Sequence, residues 1–313
     1  MSTTTTLGVD HIGVGVSDME RSIRFWTGLG FSEVAFDYTG ELGGLAGVAD
    51  RDVAEARVVM LRPAEPTVLG PAGVKLVQTT DAPPPPMPEG IGWGEPGVAE
   101  VCVHAKDQAA LYERLVADGA TALMEPNTSP LTPYGTMCSL SYVADPDGTK
   151  IELIEWLDLE QGWPQEAGPQ GVNHVAFGVA SLERTRAFYR QLGFTGMLFD
   201  SDGYFEPMHP WYAPREAPRQ KMTLLTNPFG GGLEPVEHIP ASPDMSGEWG
   251  HLGSFDFGIG VRNLDVAVAR LGELGIELRG EPQTIDLGAG ATWRYAYFAD
   301  PDGTRVYLSE GRW

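Results

Sequence analysis

Histidine is the side chain best suited to hold a metal or move a proton near neutral pH, and two of the six in this chain stand in matched surroundings. His11 sits three residues into "VDHIGVGVSDMERSIRFWTGLGF", and His174 three residues into "VNHVAFGVASLERTRAFYRQLGF". A single histidine at a strand start is more often hydrogen-bonded structure than a ligand. Recurrence at one register of a repeat favours the functional reading. His104, His238 and His251 fall off the repeat positions and read as structural, although His251, near the start of the fourth copy, reaches the ligand-binding face if the register slips. His209 belongs with Tyr204, Phe205, Trp211 and Tyr212 in "SDGYFEPMHPWYAPREAPRQ", which is longer than its counterpart in the first copy. That segment reads either as a loop over the core or as a lid presenting these five side chains to an aromatic or apolar ligand.

The elements that must position these residues repeat as well. Each copy opens with an alternating apolar strand, "HIGVGV" or "HVAFGV", followed by a polar turn and a helical segment ending at Gly30 or Gly193. Two diverged copies begin at Val98, "VAEVCVHAKDQAALYERLVADGA", and at Phe255, "FDFGIGVRNLDVAVARLGELGI". The second and fourth copies close identically, with "YVADPDGTKIELIEW" and "YFADPDGTRVYLSEGRW", each a strand, an Asp-Gly turn and a returning strand. Every copy therefore reads as strand, helix and about three strands. "DAPPPPMPEG" is a stiff extended linker between copies one and two, and "LEQGWPQEAGPQG" separates two from three. The expected organisation is residues 8–157, with modules 8–80 and 97–157, and residues 171–312, with modules 171–240 and 253–312.

Composition narrows the partners. A formal charge of −22 repels phosphate backbones, which excludes nucleic acid and favours a small-molecule ligand. No apolar run approaches the length of a membrane span, and "MSTTTTLGVDHIG" lacks the basic and apolar regions of a signal peptide. The expectation is a cytoplasmic protein, monomeric or homodimeric. Cys102 and Cys138 have no metal or redox spacing. There is no Gly-x-Ser-x-Gly elbow and no phosphate-cradling glycine loop, so a nucleotide cofactor is not indicated.

Four such units, with histidine three residues into the first and third and "DPDG" closing the second and fourth, resemble the vicinal oxygen chelate superfamily over nearly the whole chain. That superfamily includes glyoxalase I, methylmalonyl-CoA epimerase, extradiol dioxygenases and bleomycin-resistance proteins. The resemblance implies an α+β fold of four βαβββ modules, paired into two domains with cup-shaped mixed sheets. It further implies one divalent metal ion (Fe, Mn, Zn, Mg or Ni), held by side chains near the starts of first strands and in last strands.

Carried over position by position, with neighbouring units paired, the resemblance gives an amino-terminal cup offering His11, Glu100 and Glu152. Lys75 occupies the remaining position unless the register shifts to Gln78. The carboxy-terminal cup offers His174, Glu234 and Asp256, with Tyr307 as a proton donor where the superfamily commonly has Glu. Glu152 and Glu234 are the other candidates for proton transfer. Two carboxylates about 4 Å apart repel by roughly 4 kcal/mol at an effective dielectric near 20, so an apolar cup must protonate one, separate them or supply a cation. A divalent ion does this, and in the amino-terminal cup Lys75 would too. The carboxy-terminal cup, free of the ammonium, is expected to be the active one, with His174, Glu234 and Asp256 converging. The activity implied is that of a metal-dependent lyase or isomerase working through an enolate. A ring-cleaving non-haem iron dioxygenase is the alternative, weakened because neither cup has a second histidine. A metal-free binding or resistance protein is the third reading.

Overall fold

The computed structural model describes residues 6–64, 67, 69–131, 136–158 and 163–312. The first unit comprises β1 (Thr6–Gly15), α1 (Met19–Gly28), β2 (Glu33–Leu42), β3 (Ala54–Arg62) and β4 (Gly73–Thr79). The second comprises β5 (Gly97–Lys106), α2 (Gln108–Ala117), β6 (Thr121–Leu131), β7 (Thr136–Ala144) and β8 (Lys150–Trp156). The third comprises β9 (Gly168–Val179), α3 (Leu182–Gln191), β10 (Gly196–Gly203), β11 (Arg219–Thr226) and β12 (Gly232–Ile239). The fourth comprises β13 (Gly253–Val261), α4 (Leu264–Glu273), β14 (Gln283–Gly288), β15 (Ala291–Ala299) and β16 (Arg305–Arg312). No helix among the described residues is long and apolar enough to cross a membrane.

The ten-residue helices are too short to persist alone, and each depends on a cap and a buried face. Asp18, Ser181 and Asn263 accept backbone N–H groups at the starts of α1, α3 and α4. α2 differs: Asp107 is left-handed, with φ +56°, and Glu155 accepts the Gln108 N–H at 3.2 Å instead. Gly30 and Gly193, both at positive φ, end α1 and α3 where the repeat predicts a stop.

Each unit contributes four strands to one of two eight-stranded sheets, but the partners are not neighbours in sequence. One sheet runs β14-β15-β16-β13-β1-β4-β3-β2 and the other β10-β11-β12-β9-β5-β8-β7-β6. Units one and four thus build an outer-unit cup, and units two and three an inner-unit cup. This corrects the expected pairing of one with two and of three with four. The physical reason lies in the repetition itself: all four first strands carry the same edge pattern, and β1 pairs antiparallel with β13 as β5 does with β9. The proline-rich connection of 17 residues, 80–96, between β4 and β5 reaches up to roughly 50 Å when extended, so adjacency in sequence does not impose adjacency in a sheet.

Sequence neighbours meet through the "DPDG" turns instead. Asp145 folds its own turn by accepting the Asp147 and Thr149 N–H groups, and Asp147 then accepts the Ser17 N–H ahead of α1. Asp300 and Asp302 repeat the arrangement at the start of α3, where Asp302 takes Thr185 and Arg184. Between the sheets a shared core joins all four units, with Phe177 and Phe257 at 5.4 Å between ring centroids.

Candidate functional site

In the inner-unit cup, strand register sets two rows across the concave face. Glu100, Ala176 and Glu234 are direct partners on β5, β9 and β12; one step along, Tyr142, Glu152, Cys102, His174 and Gly232 lie in line on β7, β8, β5, β9 and β12. His174 stands at the centre. Its Nε2 is 2.8 Å from Glu234 Oε2 and 3.4 Å from both Glu100 Oε1 and Glu152 Oε2. Its Nδ1 lies 2.9 Å from Asn173 Oδ1, which fixes Nδ1 as a donor and turns Nε2 inward. Glu100 and His174 are fully buried, Glu152 and Glu234 nearly so. Yet Glu100 Oε1 and Glu152 Oε2 have no hydrogen-bond partner, and His174 Nε2 has its close contact with Glu234 alone.

The outer-unit cup is written on the same grid with different chemistry. Asp256, Gly13 and Lys75 form one row, and Tyr297, Tyr307, Gly258, His11 and Gly73 the other. Lys75 thus takes the place of Glu234, and Tyr307 that of Glu152. Lys75 Nζ is 3.0 Å from Asp256 Oδ2, which also accepts from Tyr297 at 2.6 Å, and the ammonium lies 4.4 Å from the Tyr307 ring centroid. His11 is held between Asp10, at 2.6 Å, and the Tyr307 hydroxyl. Gly13 permits the ion pair: a Cβ there would lie 1.8 Å from Asp256 Oδ1, and the corresponding residue of the other cup is Ala176. Phe255, Trp293, Tyr295 and Trp249 pack the concave face.

Four βαβββ units, two curled mixed sheets and a buried acid–histidine cluster at first and last strands agree with the profile of the "Glyoxalase/Bleomycin resistance protein/Dioxygenase superfamily", which matches residues 8–153 and 171–308. The chain belongs to this superfamily. Among solved structures, glyoxalase I from Zea mays is 18% identical with a TM-score of 0.58, over 97% of this chain and 92% of that one. A putative dioxygenase from Bacillus subtilis subsp. subtilis str. 168 is 11% identical with a TM-score of 0.57, over 98% and 86%. At these identities the likeness is one of fold. No curated protein sequence matches the chain.

The two superfamily cups divide the expected ligands differently from the carry-over. Glu100 and Glu152 join His174 and Glu234, whereas Asp256 and Tyr307 stand with His11 and Lys75. The expected convergence of His174, Glu234 and Asp256 therefore fails at Asp256, because β13 pairs with β1 and not with β9. Lys75 faces its cup, as the first of the two registers requires, and Gln78 points to the other side, where it bonds Met19 and Ser17.

Electrostatics separate the cups. Burial, and then the charge of Glu100, push the Glu152 carboxyl up to about 8, and burial also raises Glu234. Burial works against a charged His174, but Glu234, Glu100 and Glu152 together outweigh it and hold the imidazole well above its usual range. Without a cation the inner-unit cluster must take up protons to persist. The outer-unit cup needs none: Lys75 neutralises Asp256, and burial and then Asp256 keep Tyr307 a neutral phenol.

A cavity of about 230 Å³ opens above Glu152 and Glu234, walled by Tyr142, Phe199, Met222 and Leu140. Of the expected lid, Tyr204 and Phe205 line it, joined by Met208 from a short 3₁₀ turn, Glu206–Tyr212. Trp211 stands behind the wall, edge-on to Tyr142 at 4.9 Å, its indole donating to the Leu123 carbonyl. Tyr212 is buried, donating to the Trp93 carbonyl at 2.5 Å and accepting from Gln220 at 2.7 Å. His209 is exposed beside Tyr204 and outside the cavity lining.

Two contributors escaped the sequence reading. The Trp93 indole donates to Glu100 Oε2, leaving Oε1 turned toward His174. Trp93 lies in the connection after the proline run, outside every repeat. Cys102 offers its sulfur to the group formed with Glu152 and His174, whose ligand atoms lie within 4.8 Å of one another. Its position two residues beyond Glu100 on one strand face was a readable signal. Burial, and then the charge of Glu152, keep it a thiol.

Proposed function

We propose that the chain is a divalent-metal-dependent lyase or isomerase with its working centre in the inner-unit cup. The observation that carries this is the convergence of three buried carboxylates on His174 Nε2, with Glu100 Oε1 and Glu152 Oε2 lacking hydrogen-bond partners. Leaving such groups unpaired in a protein interior is costly. One imidazole with three carboxylates suits Mn, Fe, Zn, Ni or Mg, and the inward Nε2 supplies the nitrogen ligand. Glu100, held by Trp93 and outside the cavity lining, would serve as a fixed ligand.

A bound divalent ion supplies Lewis-acid stabilisation of the negative charge that develops on a substrate oxygen. The protein's own groups do the rest. Glu152 and Glu234 both border the cavity from last strands of different units, so either can take a proton from the carbon beside a carbonyl and the other return it. Tyr142, kept a neutral phenol by burial and then by the charge of Glu100, can donate a hydrogen bond to a substrate oxygen. The aromatic wall excludes water from the reacting carbon.

The test is proton exchange. Metal-loaded protein incubated in deuterium oxide with a panel of 2-hydroxyaldehydes, 2-hydroxyketones and hemithioacetals should incorporate deuterium at the carbon next to the carbonyl in at least one of them. Glu152→Gln and Glu234→Gln should each suppress it. Oxygen uptake with catechols, and no exchange with any carbonyl, would assign ring cleavage instead.

A further inference from the structure

We infer that the inner-unit cup takes an uncharged, largely apolar ligand of about ten non-hydrogen atoms, bearing its metal-binding oxygens at one end and no carboxylate, phosphate or sulfonate elsewhere. This rests on the metal-centre reading for the anchored end; the charge argument concerns the remaining wall.

No Lys, Arg or His lines the cavity among the described residues, and the residues outside that description include none in the sequence. Of the neighbouring cations, Lys150 lies outside the lining, in the field of Glu95 and Glu100, and three arginines are engaged by carboxylates. Arg219 holds Asp202 at the rim through two contacts of 2.6 Å, Arg186 pairs with Asp200, and Arg215 is 2.7 Å from Glu95. The acids that reach the cavity are Glu152 and Glu234 at its floor and the neutralised Asp202 at its edge. An anionic tail would lose its hydration and gain no counter-charge there.

The polar group left in the wall has the same sign of preference. The Tyr212 hydroxyl spends its hydrogen on the Trp93 carbonyl, so its oxygen must accept, and Gln220 must present its nitrogen to it. That assignment leaves Gln220 Oε1 buried and without a partner. An acceptor oxygen can receive a neutral O–H or N–H from a ligand and repels a carboxylate. Elsewhere the wall is Phe199, Phe205, Met208, Met222 and Tyr142, which reward apolar area. A volume of about 230 Å³ corresponds to about eight waters at roughly 30 Å³ each, so size admits a single ring or its aliphatic equivalent.

The experiment uses hydroxamates, whose two oxygens anchor to a metal, titrated calorimetrically into protein loaded with Mn. Succinic monohydroxamic acid and its terminal amide form an isosteric pair that differs in charge. The amide should bind roughly ten-fold or more tightly than the acid at low ionic strength, with the gap narrowing in high salt. Benzohydroxamic acid should exceed acetohydroxamic acid by a similar factor. Equal or tighter binding of the acid, or no gain from the phenyl ring, would overturn the inference. Failure to retain Mn would count against the metal centre alone; the ligand class is then read from benzamide against benzoate with the metal-free protein, and stronger binding of benzoate would overturn it.

Discussion

Replacing Lys75 by methionine should destabilise the protein while leaving the metal centre intact. Lys75 and Asp256 are 2% and 0% exposed, and the ammonium lies 3.0 Å from that carboxylate. Breaking a buried ion pair by deleting one member typically costs about 3–5 kcal/mol, since the survivor stays buried and charged. Two features adjust the figure. The Tyr297 hydroxyl still donates to Asp256 at 2.6 Å, which softens the loss. The ammonium's contact with the Tyr307 ring, 4.4 Å from its centroid, disappears, which adds on the order of 1 kcal/mol. A net loss of about 3 kcal/mol corresponds to roughly 5 °C in melting temperature for a chain of 313 residues. Scanning calorimetry with metal analysis on the same preparation reads both quantities. Asp256→Asn added to Lys75→Met should recover more than half of the loss, because the orphaned charge goes while the Tyr297 hydrogen bond stays. A Lys75→Met variant that keeps its stability but loses its metal would refute the division of labour between the cups.

Trp93→Phe removes the indole donor from Glu100 and should weaken metal affinity roughly 10–100-fold, measured by chelator competition; an unchanged Kd would show that Glu100 needs no such support. Gly13→Ala should destabilise by about 3 kcal/mol, because the new methyl would meet Asp256 Oδ1 at 1.8 Å, whereas Ala176→Gly should leave folding within about 1 kcal/mol. For pH, Glu152 is raised from its usual 4.5 to about 8 in the ion-free protein, so the folded state holds a proton that the unfolded chain has released. Metal-free protein should therefore lose melting temperature as pH rises from about 5 to about 8, while the increment from added metal grows over the same window. A flat profile in both would contradict the arrangement of charges.

Much of this was legible in the sequence because repetition reports geometry. His11 and His174 share a register since each opens a first strand, and the helix stops at Gly30 and Gly193 follow from the same pattern. The last-strand positions of Glu152, Glu234, Lys75 and Tyr307 were also recoverable. What repetition cannot specify is which copy pairs with which, because interchangeable edges satisfy one another equally. That ambiguity moved Asp256 to the wrong histidine and separated Glu100 and Glu152 from theirs. Trp93 lay in a connection with no repeat partner, and Tyr212 gave no sign that its hydroxyl would brace Trp93 and not face the ligand. The exchange of Glu234 for Lys75, by contrast, was visible as a charge reversal at one register, and it marked the cup that closes on its own ion pair.

Metal content of three preparations tests the central claim most directly. Wild-type protein saturated with Mn and freed of excess ion should retain close to one ion per chain, His11→Ala should retain the same amount, and His174→Ala should retain almost none. Two ions in the wild type, or loss of the ion in His11→Ala with retention in His174→Ala, would contradict the assignment of a single metal centre to Glu100, Glu152, His174 and Glu234.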